Sequence, residues 1–186
     1  MKNLILLLML GLSSTLHAQT QPTNAPRTYF QSYNLTADVP LLKGITVIGT
    51  INSQITYPVE IRAERLINLQ TSNTVSAVTI HTHLNGQTSV DCIDYDELDG
   101  LIRAIQLISQ TDGSLAGTDT YEAVFRTRCG MSIFKVTNNT TKLNIEMRSG
   151  DIGGIRNQMA TFVLDDLGKY LTAAKAKLDS FAAGAH

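Results

Sequence analysis

The sequence predicts a single α+β domain, with a largely antiparallel sheet of about seven or eight strands and two amphipathic helices packed on one face. Three observations predict this fold class. Along most of the chain, apolar and polar side chains alternate with a period of two, which is typical of half-buried strands. Two segments change to the spacing of amphipathic helices, and the connections between strands are short enough for hairpins. The predicted order is about four strands, a helix, about four strands and a helix.

Length and composition support one domain that needs no stabilising cofactor. The chain has 186 residues, of which 43% are hydrophobic and 17% charged, so it can bury a sizeable core and is not intrinsically disordered. The formal net charge of -1 gives no electrostatic reason to expect nucleic acid or an anionic membrane surface as a partner. Two cysteines are too few for a cysteine-rich metal module. We therefore expect no cofactor and no nucleic-acid partner.

The first 18 residues have the pattern of a secretory signal peptide. Lys2 supplies the positive start, residues 4–12 are almost wholly apolar, and cleavage is predicted between Ala18 and Gln19. This apolar run is too short to span a bilayer, although an uncleaved anchor is the alternative. No later segment is apolar enough to cross a membrane and no cysteine comes directly after the apolar run, so neither a span nor a lipid anchor is expected. The predicted product is exported, periplasmic or secreted, with a flexible leader at residues 19–28 and one domain at residues 29–186.

Each predicted strand shows the alternating pattern and most are bounded by a turn sequence. Val59, Ile61 and Ala63, for example, point to one face, and the charged residues between them point to the other. The predicted strands lie at residues 44–51, 59–64, 78–84, 121–128, 131–136, 142–148 and 158–164. The predicted turns include Asn85-Gly86, Cys129-Gly130 and Asn138-Asn139.

Two helices are predicted from apolar stripes. Asp94 and Glu97 have the spacing of a capping box at the start of the first helix, and Asp112-Gly113 ends it. The stripe of this helix consists of Leu98, Leu101, Ile102, Ile105 and Ile108. The second helix begins at Asp165-Asp166, where the helix dipole favours acids. Its stripe consists of Leu167, Leu171, Ala174, Leu178 and Phe181.

His81 and His83 are a potential pair of metal ligands, because residues two apart on a strand point to the same face. Two imidazoles placed in this way can bind one metal ion. A catalytic zinc needs a third protein ligand, which an acid such as Asp91 or Glu122 could supply only through the fold. Because the opposite face of this strand is apolar, the favoured expectation is that both histidines face solvent together with Thr79.

Cys92 and Cys129 are predicted to form a disulfide. Two cysteines in an exported protein commonly pair, and both of these lie at the ends of predicted elements. The 36 residues between them would form a closed loop that stabilises the fold by about 4 kcal/mol in the chain-entropy model. Two separate thiols are the alternative. A catalytic cysteine is not favoured, because neither histidine is placed to act as its base.

Two clusters of charged residues each have a structural and a functional interpretation. The start of a helix explains the acidic cluster better than a calcium site, because the spacing lacks the glycine and closing glutamate of an EF-hand loop. This cluster consists of Asp91, Asp94, Asp96, Glu97 and Asp99. Cross-strand ion pairs explain the arginines better than an anion site. The residues concerned are Arg126, Arg128 and Arg148, with Glu122 and Glu146 as partners.

Parts of the sequence resemble small exported proteins of Bacteroidota-type bacteria. The similarity rests on the H-A-Q end of the signal, on residues 93–105 and on residues 121–128. None of these residues belongs to a catalytic or binding signature. The resemblance therefore implies an exported single domain and no particular activity.

The sequence contains no catalytic motif, and no catalytic residue is predicted. We expect a non-catalytic exported domain that binds a small ligand or a protein partner. A sheet covered by helices can leave an apolar pocket, which Tyr33, Tyr57 and Tyr95 would rim. The alternatives are a small metal-dependent hydrolase centred on His81 and His83 and a structural, envelope-associated protein.

Overall fold

Two antiparallel sheets and three α-helices make up the described part of the chain. The computed structural model describes residues 28–36, 38–52, 58–84, 87–111, 114–118, 120–137, 144–148, 159–161 and 164–183. The α+β class and the antiparallel pairing predicted from the sequence are confirmed. The expectation of one continuous sheet is wrong, because the strands divide into two four-stranded sheets, each with its strands in chain order.

The first sheet has four long strands: β1 (Leu41–Ile51), β2 (Val59–Asn68), β3 (Thr74–Leu84) and β4 (Gln87–Asp94). Their register places Ala63 of β2 opposite Val78 of β3, and Val78 opposite Ile93 of β4. All three side chains are fully buried, so this row of the sheet forms part of the core. The last residue of β4, Asp94, pairs with Ala77, so β4 does not extend along the first three residues of β3.

A register shift between Val47 and Gly49 interrupts the pairing of β1 with β2. Gly49 weakens the strand pattern in the sequence, and the structure shows why a glycine occurs there. A Cβ atom at this position would overlap the ring of Tyr170, which packs against the strand. The glycine therefore allows an aromatic side chain to approach the backbone closely.

The second sheet consists of β5 (Tyr121–Arg126), β6 (Ser132–Thr137), β7 (Asn144–Arg148) and β8 (Met159–Thr161). The predicted turn at Cys129-Gly130 joins β5 to β6, and Gly130 has a φ of 90°, which favours glycine. β8 ends before the predicted boundary at residue 164, because a helix already begins there. The predicted turns at Asn85-Gly86, Asp112-Gly113 and Asn138-Asn139 lie outside the described residues.

Three helices pack on this framework: α1 (Tyr29–Asn34), α2 (Leu98–Gln110) and α3 (Leu164–Ala183). The predicted stripes of α2 and α3 are confirmed, since Leu101 and Ile105 of α2 and Leu167 and Leu171 of α3 are buried. A 3-10 turn, Tyr95–Glu97, precedes α2. In the described part of the chain, no helix has the length and apolar character needed to cross a membrane.

α1 was not predicted, because six residues are too few to show a helical period. Local hydrogen bonds define its start. The Thr28 hydroxyl accepts a hydrogen bond from the Gln31 backbone N–H at 3.2 Å, and the Gln31 side-chain oxygen accepts one from the Thr28 N–H at 3.0 Å. This reciprocal pair is a capping box.

The helices cover both faces of the first sheet. α3 packs on β1, β2 and β3, and α2 lies beside α3 and against β5 and β6. On the other face, Phe30 of α1 packs with Leu66, Val75, Ala77 and Cys92. The expectation that helices cover only one face is therefore wrong, and each face of the first sheet contributes to a separate apolar cluster.

Candidate functional site

An open cleft of about 750 Å³ lies at the end of the first sheet, where β4 stops and the chain turns into α2. This volume lies within the range of small-molecule sites, roughly 300–1,000 Å³. Its walls come from segments that are far apart in sequence. They include the start of α1, one residue of β2, the first residues of β3, the 3-10 turn before α2 and the end of α3.

Apolar atoms form most of the cleft surface, and the aromatic and aliphatic residues of its lining are Tyr29, Val75, Tyr95, Leu178 and Phe181. Tyr95 is fixed in place by α3. Its hydroxyl donates a hydrogen bond to Asp179, and the Lys175 ammonium lies 5.2 Å from the centre of its ring. The hydrogen bond to Asp179 raises the pKa of the Tyr95 hydroxyl. Tyr95 was one of three tyrosines expected at a pocket rim; Tyr33 does not line the cleft, and Tyr57 lies outside the described residues.

Asp94 lies at one end of the cleft and connects β4 to α1. Its two carboxylate oxygens accept hydrogen bonds from the backbone N–H groups of Tyr29 and Phe30, at 2.8 and 3.0 Å. The predicted capping box of Asp94 with Glu97 is wrong, since the Asp94 side chain makes no capping bond to the turn that follows it. The Asp94 carboxylate instead binds the free amide groups at the start of α1, a helix that the sequence pattern did not reveal.

Arg128 lies among three acids at the same end of the cleft. Its guanidinium nitrogens lie 2.6 Å from Asp96, 3.5 Å from Asp94 and 3.6 Å from Glu97. The hydrogen bond to Asp96 is the main cause of the raised pKa of Arg128. The expected pairing of Arg128 with glutamates on neighbouring strands is therefore wrong, because the turn after β5 carries Arg128 to the acidic cluster instead.

Arg65 of β2 also lines the cleft, and unlike Arg128 it has no acidic partner among the described residues. One terminal nitrogen donates to the Phe181 carbonyl oxygen at 3.3 Å, and the other donates to the Thr74 hydroxyl at 3.4 Å. Its Nε is buried without an acceptor. Within the described residues, no carboxylate lies within 4.0 Å of this guanidinium. Its central guanidinium carbon also lies 5.9 Å from the centre of the Phe181 ring. The cleft thus holds one arginine surrounded by acids and one whose described partners are all uncharged.

Sequence reasoning missed Arg65, Tyr29 and Phe181 as cleft residues. A signal for Arg65 was present: continuing the alternation of Val59, Ile61 and Ala63 by two residues puts a charged side chain on the inward face of β2. No comparable signal marks Tyr29 or Phe181, because only the packing of α1 and α3 brings them to the cleft.

His81 and Thr79 do not face solvent, so that expectation is wrong. They are 8% and 3% exposed and adjoin a fully buried carboxylate, Glu64. Glu64 accepts a hydrogen bond from the Thr79 hydroxyl at 2.8 Å, its other oxygen lies 2.6 Å from Lys43, and His81 Nε2 lies 3.7 Å away. We call these four residues, Lys43, Glu64, Thr79 and His81, the Glu64 cluster.

Hydrogen bonds control the ionisation of Glu64. Burial on its own raises the pKa of this carboxyl, but hydrogen bonds from His81, Lys43 and Thr79 outweigh that effect and lower the pKa to about 2. The sequence placed Glu64 on the polar face of β2, and the face is correct. What the alternation did not show is that neighbouring strands surround this carboxylate with partners.

The metal pair His81 and His83 stays a prediction, because the side chain of His83 lies outside the described part of the structure. Among the described residues, no group of three histidine, cysteine or acidic side chains is arranged to hold a metal ion. His81 forms a hydrogen bond with Thr79, with 3.0 Å between its Nε2 and the hydroxyl oxygen.

Cys92 and Cys129 are both free, so the predicted disulfide is wrong. Cys92 belongs to the apolar cluster with Phe30, and Cys129 belongs to the larger core cluster with Met131. The Cys129 thiol lies close to the backbone of Cys92, but the two sulfurs are not bonded. Burial raises the pKa of Cys92 to about 12 and also raises the pKa of Cys129. Both thiols are therefore protonated at neutral pH.

No protein-family model, curated protein or solved structure matches this chain. The cleft and its charges are therefore the basis for a functional argument.

Proposed function

We propose that this protein is an exported, non-catalytic domain that binds a small ligand in the cleft. The observation that carries the proposal is the combination of about 750 Å³ of open volume with a mostly apolar and aromatic wall and a few charged groups at its ends. Sites for small molecules generally have this composition, because apolar surface supplies affinity and a few polar groups fix orientation.

The rigidity of the cleft supports this proposal. Asp94 ties α1 to the end of β4, and Asp179 and Lys175 hold the Tyr95 ring against α3. Arg128 joins the turn after β5 to the acids that precede α2. A wall that is already ordered loses little conformational entropy when a ligand binds.

The residue types in the wall favour binding over catalysis. Within the described residues, the lining contains neither histidine nor cysteine, so it offers no nucleophile paired with an imidazole base. The pattern of residues 1–18, which is typical of a signal peptide, supports export to the periplasm or the medium.

A fluorescent probe tests the proposed site directly. The apolar anion 1-anilinonaphthalene-8-sulfonate is titrated into the folded protein and followed by fluorescence and calorimetry. We expect saturable binding of one probe per chain. Thr74→Trp places a large ring at the cleft, so we expect it to abolish the binding.

Thr172→Trp is the matched control, since Thr172 is exposed on α3 and does not line the cleft. We expect this variant to bind the probe like the wild type. Absence of saturable binding, or binding that survives Thr74→Trp in a folded variant, would contradict the proposed site and favour a structural role without a pocket.

A further inference from the structure

The first three residues of β3 form an unpaired strand edge in the cleft. Thr74, Val75 and Ser76 pair with β2 on one side, whereas the pairing of β3 with β4 starts only at Ala77. Within the described residues, no strand pairs with them on the second side. In an antiparallel ladder, successive residues direct their N–H and C=O groups to alternate sides. At least one of these three residues therefore presents both groups towards the cleft.

The direction of a strand added at this edge follows from β4. β4 runs from Gln87, opposite Leu84, to Asp94, opposite Ala77. A segment that continues the line of β4 therefore faces Ser76 first and Thr74 last. Its carboxyl end comes to lie beside Thr74.

Arg65 pairs with Ser76 in the strand register, but its guanidinium reaches the Thr74 end of this line. Its guanidinium donates to the Thr74 hydroxyl and the Phe181 carbonyl oxygen through long hydrogen bonds, and Nε has no acceptor. A carboxylate is the natural partner for such a group, because charge-assisted bonds to arginine are stronger than bonds to neutral oxygens.

The opposite end of the line has an excess of negative charge. Asp94, Asp96 and Glu97 together carry three carboxylates, and Arg128 is the cation that lies among them. The Asp96 side chain is 68% exposed and can approach a positive group of a ligand. This end therefore suits an ammonium group.

We propose that the ligand is a short peptide of about three residues with both termini free, bound antiparallel to residues 74–76 of β3. Its C-terminal carboxylate lies at Arg65 and its N-terminal ammonium lies towards Asp96. Three extended residues measure about 10 Å, at roughly 3.4 Å each. Tyr29, Tyr95 and Phe181 provide apolar contacts for the peptide side chains. The inference rests on the proposed function, since it names the ligand class of the same cleft.

Calorimetry with synthetic tripeptides tests this inference. The probes are free Ala-Xaa-Ala peptides with each common amino acid at the centre, and the tightest binder is then remade in three modified forms. Amidation of the carboxyl terminus removes the partner of Arg65, so we expect about tenfold weaker binding or more. N-methylation of a backbone amide that faces β3 should also weaken binding, because it removes a strand hydrogen bond. Acetylation of the amino terminus should have a smaller effect, because the acids at that end already hold Arg128.

A pair of lysine and arginine variants tests the carboxylate contact from the protein side. Arg65→Gln should weaken the free peptide by about tenfold or more and leave the amidated peptide unchanged. Lys177→Gln is the matched control, because Lys177 also lies over the Phe181 ring, at 5.0 Å, but does not line the cleft. We expect this control to bind the free peptide like the wild type.

Two results would overturn the inference. One is that no tripeptide binds. The other is that amidation or Arg65→Gln has no effect on binding. If 1-anilinonaphthalene-8-sulfonate or a simple acid such as 4-phenylbutanoate still binds in the cleft, the peptide class alone is wrong and the binding function stands. If neither probes nor peptides bind, the proposed function fails as well.

Discussion

Glu64 and Arg65 are neighbours in sequence but belong to two regions that differ in how well their charged side chains are paired. Glu64 is fully buried, and three side chains hold it as a carboxylate with a pKa lowered to about 2. Arg65 lies in the open cleft with two long bonds to neutral oxygens and an Nε that has no acceptor. A charged group that is fully paired within the protein, such as Glu64, stabilises the folded state. A charge that the fold leaves incompletely matched beside a cavity is available to a ligand.

The alternation of the strand causes this difference. Adjacent residues point to opposite faces of a sheet, so Glu64 meets Lys43, Thr79 and His81 on one face. Arg65 points to the other face near the end of the sheet, where it meets the last turn of α3. The predictions below test how far the two regions differ.

The largest effect is expected at Glu64. Glu64→Gln leaves Lys43 and His81 without their carboxylate, so we expect the free energy of unfolding to fall by about 3 kcal/mol. Urea denaturation measures this change. Glu60→Gln on the same strand is the control, because its ion pair with Arg62 is partly exposed and should contribute less than about 1 kcal/mol. Equal effects of the two variants would show that the Glu64 cluster is not a stabilising unit.

The pH dependence of stability should have the same origin. Because the pKa of Glu64 falls from its usual 4.5 to about 2 in the folded protein, its contribution is complete above pH 4.5 and is lost as the pH falls towards 2. The contribution amounts to about 3 kcal/mol. The difference in unfolding free energy between the wild type and Glu64→Gln should therefore narrow over this pH range. A constant difference from pH 7 to pH 2 would contradict the lowered pKa.

A smaller effect is expected from Arg128, the matched arginine of the cleft. Arg128→Gln leaves three acids without their shared cation, but the side chain is about half exposed and solvent screens its interactions. We expect a loss of about 1 kcal/mol in unfolding free energy. Arg126→Gln, at an exposed position on β5, is the control and should have no measurable effect. A result in which both variants behave alike would remove the structural role given to Arg128.

The smallest effect on stability is expected at Arg65. Arg65→Gln removes long bonds to neutral oxygens, so we expect a change below about 1 kcal/mol in thermal or urea unfolding. The decrease in unfolding free energy at acidic pH should be the same for this variant as for the wild type, because no described carboxylate pairs with Arg65. A loss of 2 kcal/mol or more would show that Arg65 serves mainly to cap α3, and the contrast with Glu64 would then disappear.

The elements with long, regular patterns could be predicted from the sequence. The stripes of α2 and α3 are buried as expected, because helices of 13 and 20 residues repeat their period several times. α1 has six residues and was missed. The same limit applies to the cleft, where Tyr95 was expected but Arg65 was not recognised from the alternation of β2.

The expectations about Asp94, Cys92 and His81 failed for a common reason. Each depended on a partner that comes from another part of the chain. The amides of α1 bind the Asp94 carboxylate, the Cys129 thiol lies beside the Cys92 backbone and not bonded to its sulfur, and Glu64 lies beside His81 of the neighbouring strand. Local spacing contains no information about such long-range partners.

Local sequence patterns were sufficient to predict the α+β class, the antiparallel pairing, the apolar stripes of the two long helices and the alternating faces of β2. These features follow from local periods of hydrophobicity and from short turns. The division into two sheets, the free thiols, the charged partners of Glu64 and the position of Arg65 in a cleft became evident from the folded structure alone. These features depend on strand pairing, burial and charge pairing between segments that come into contact only when the chain has folded.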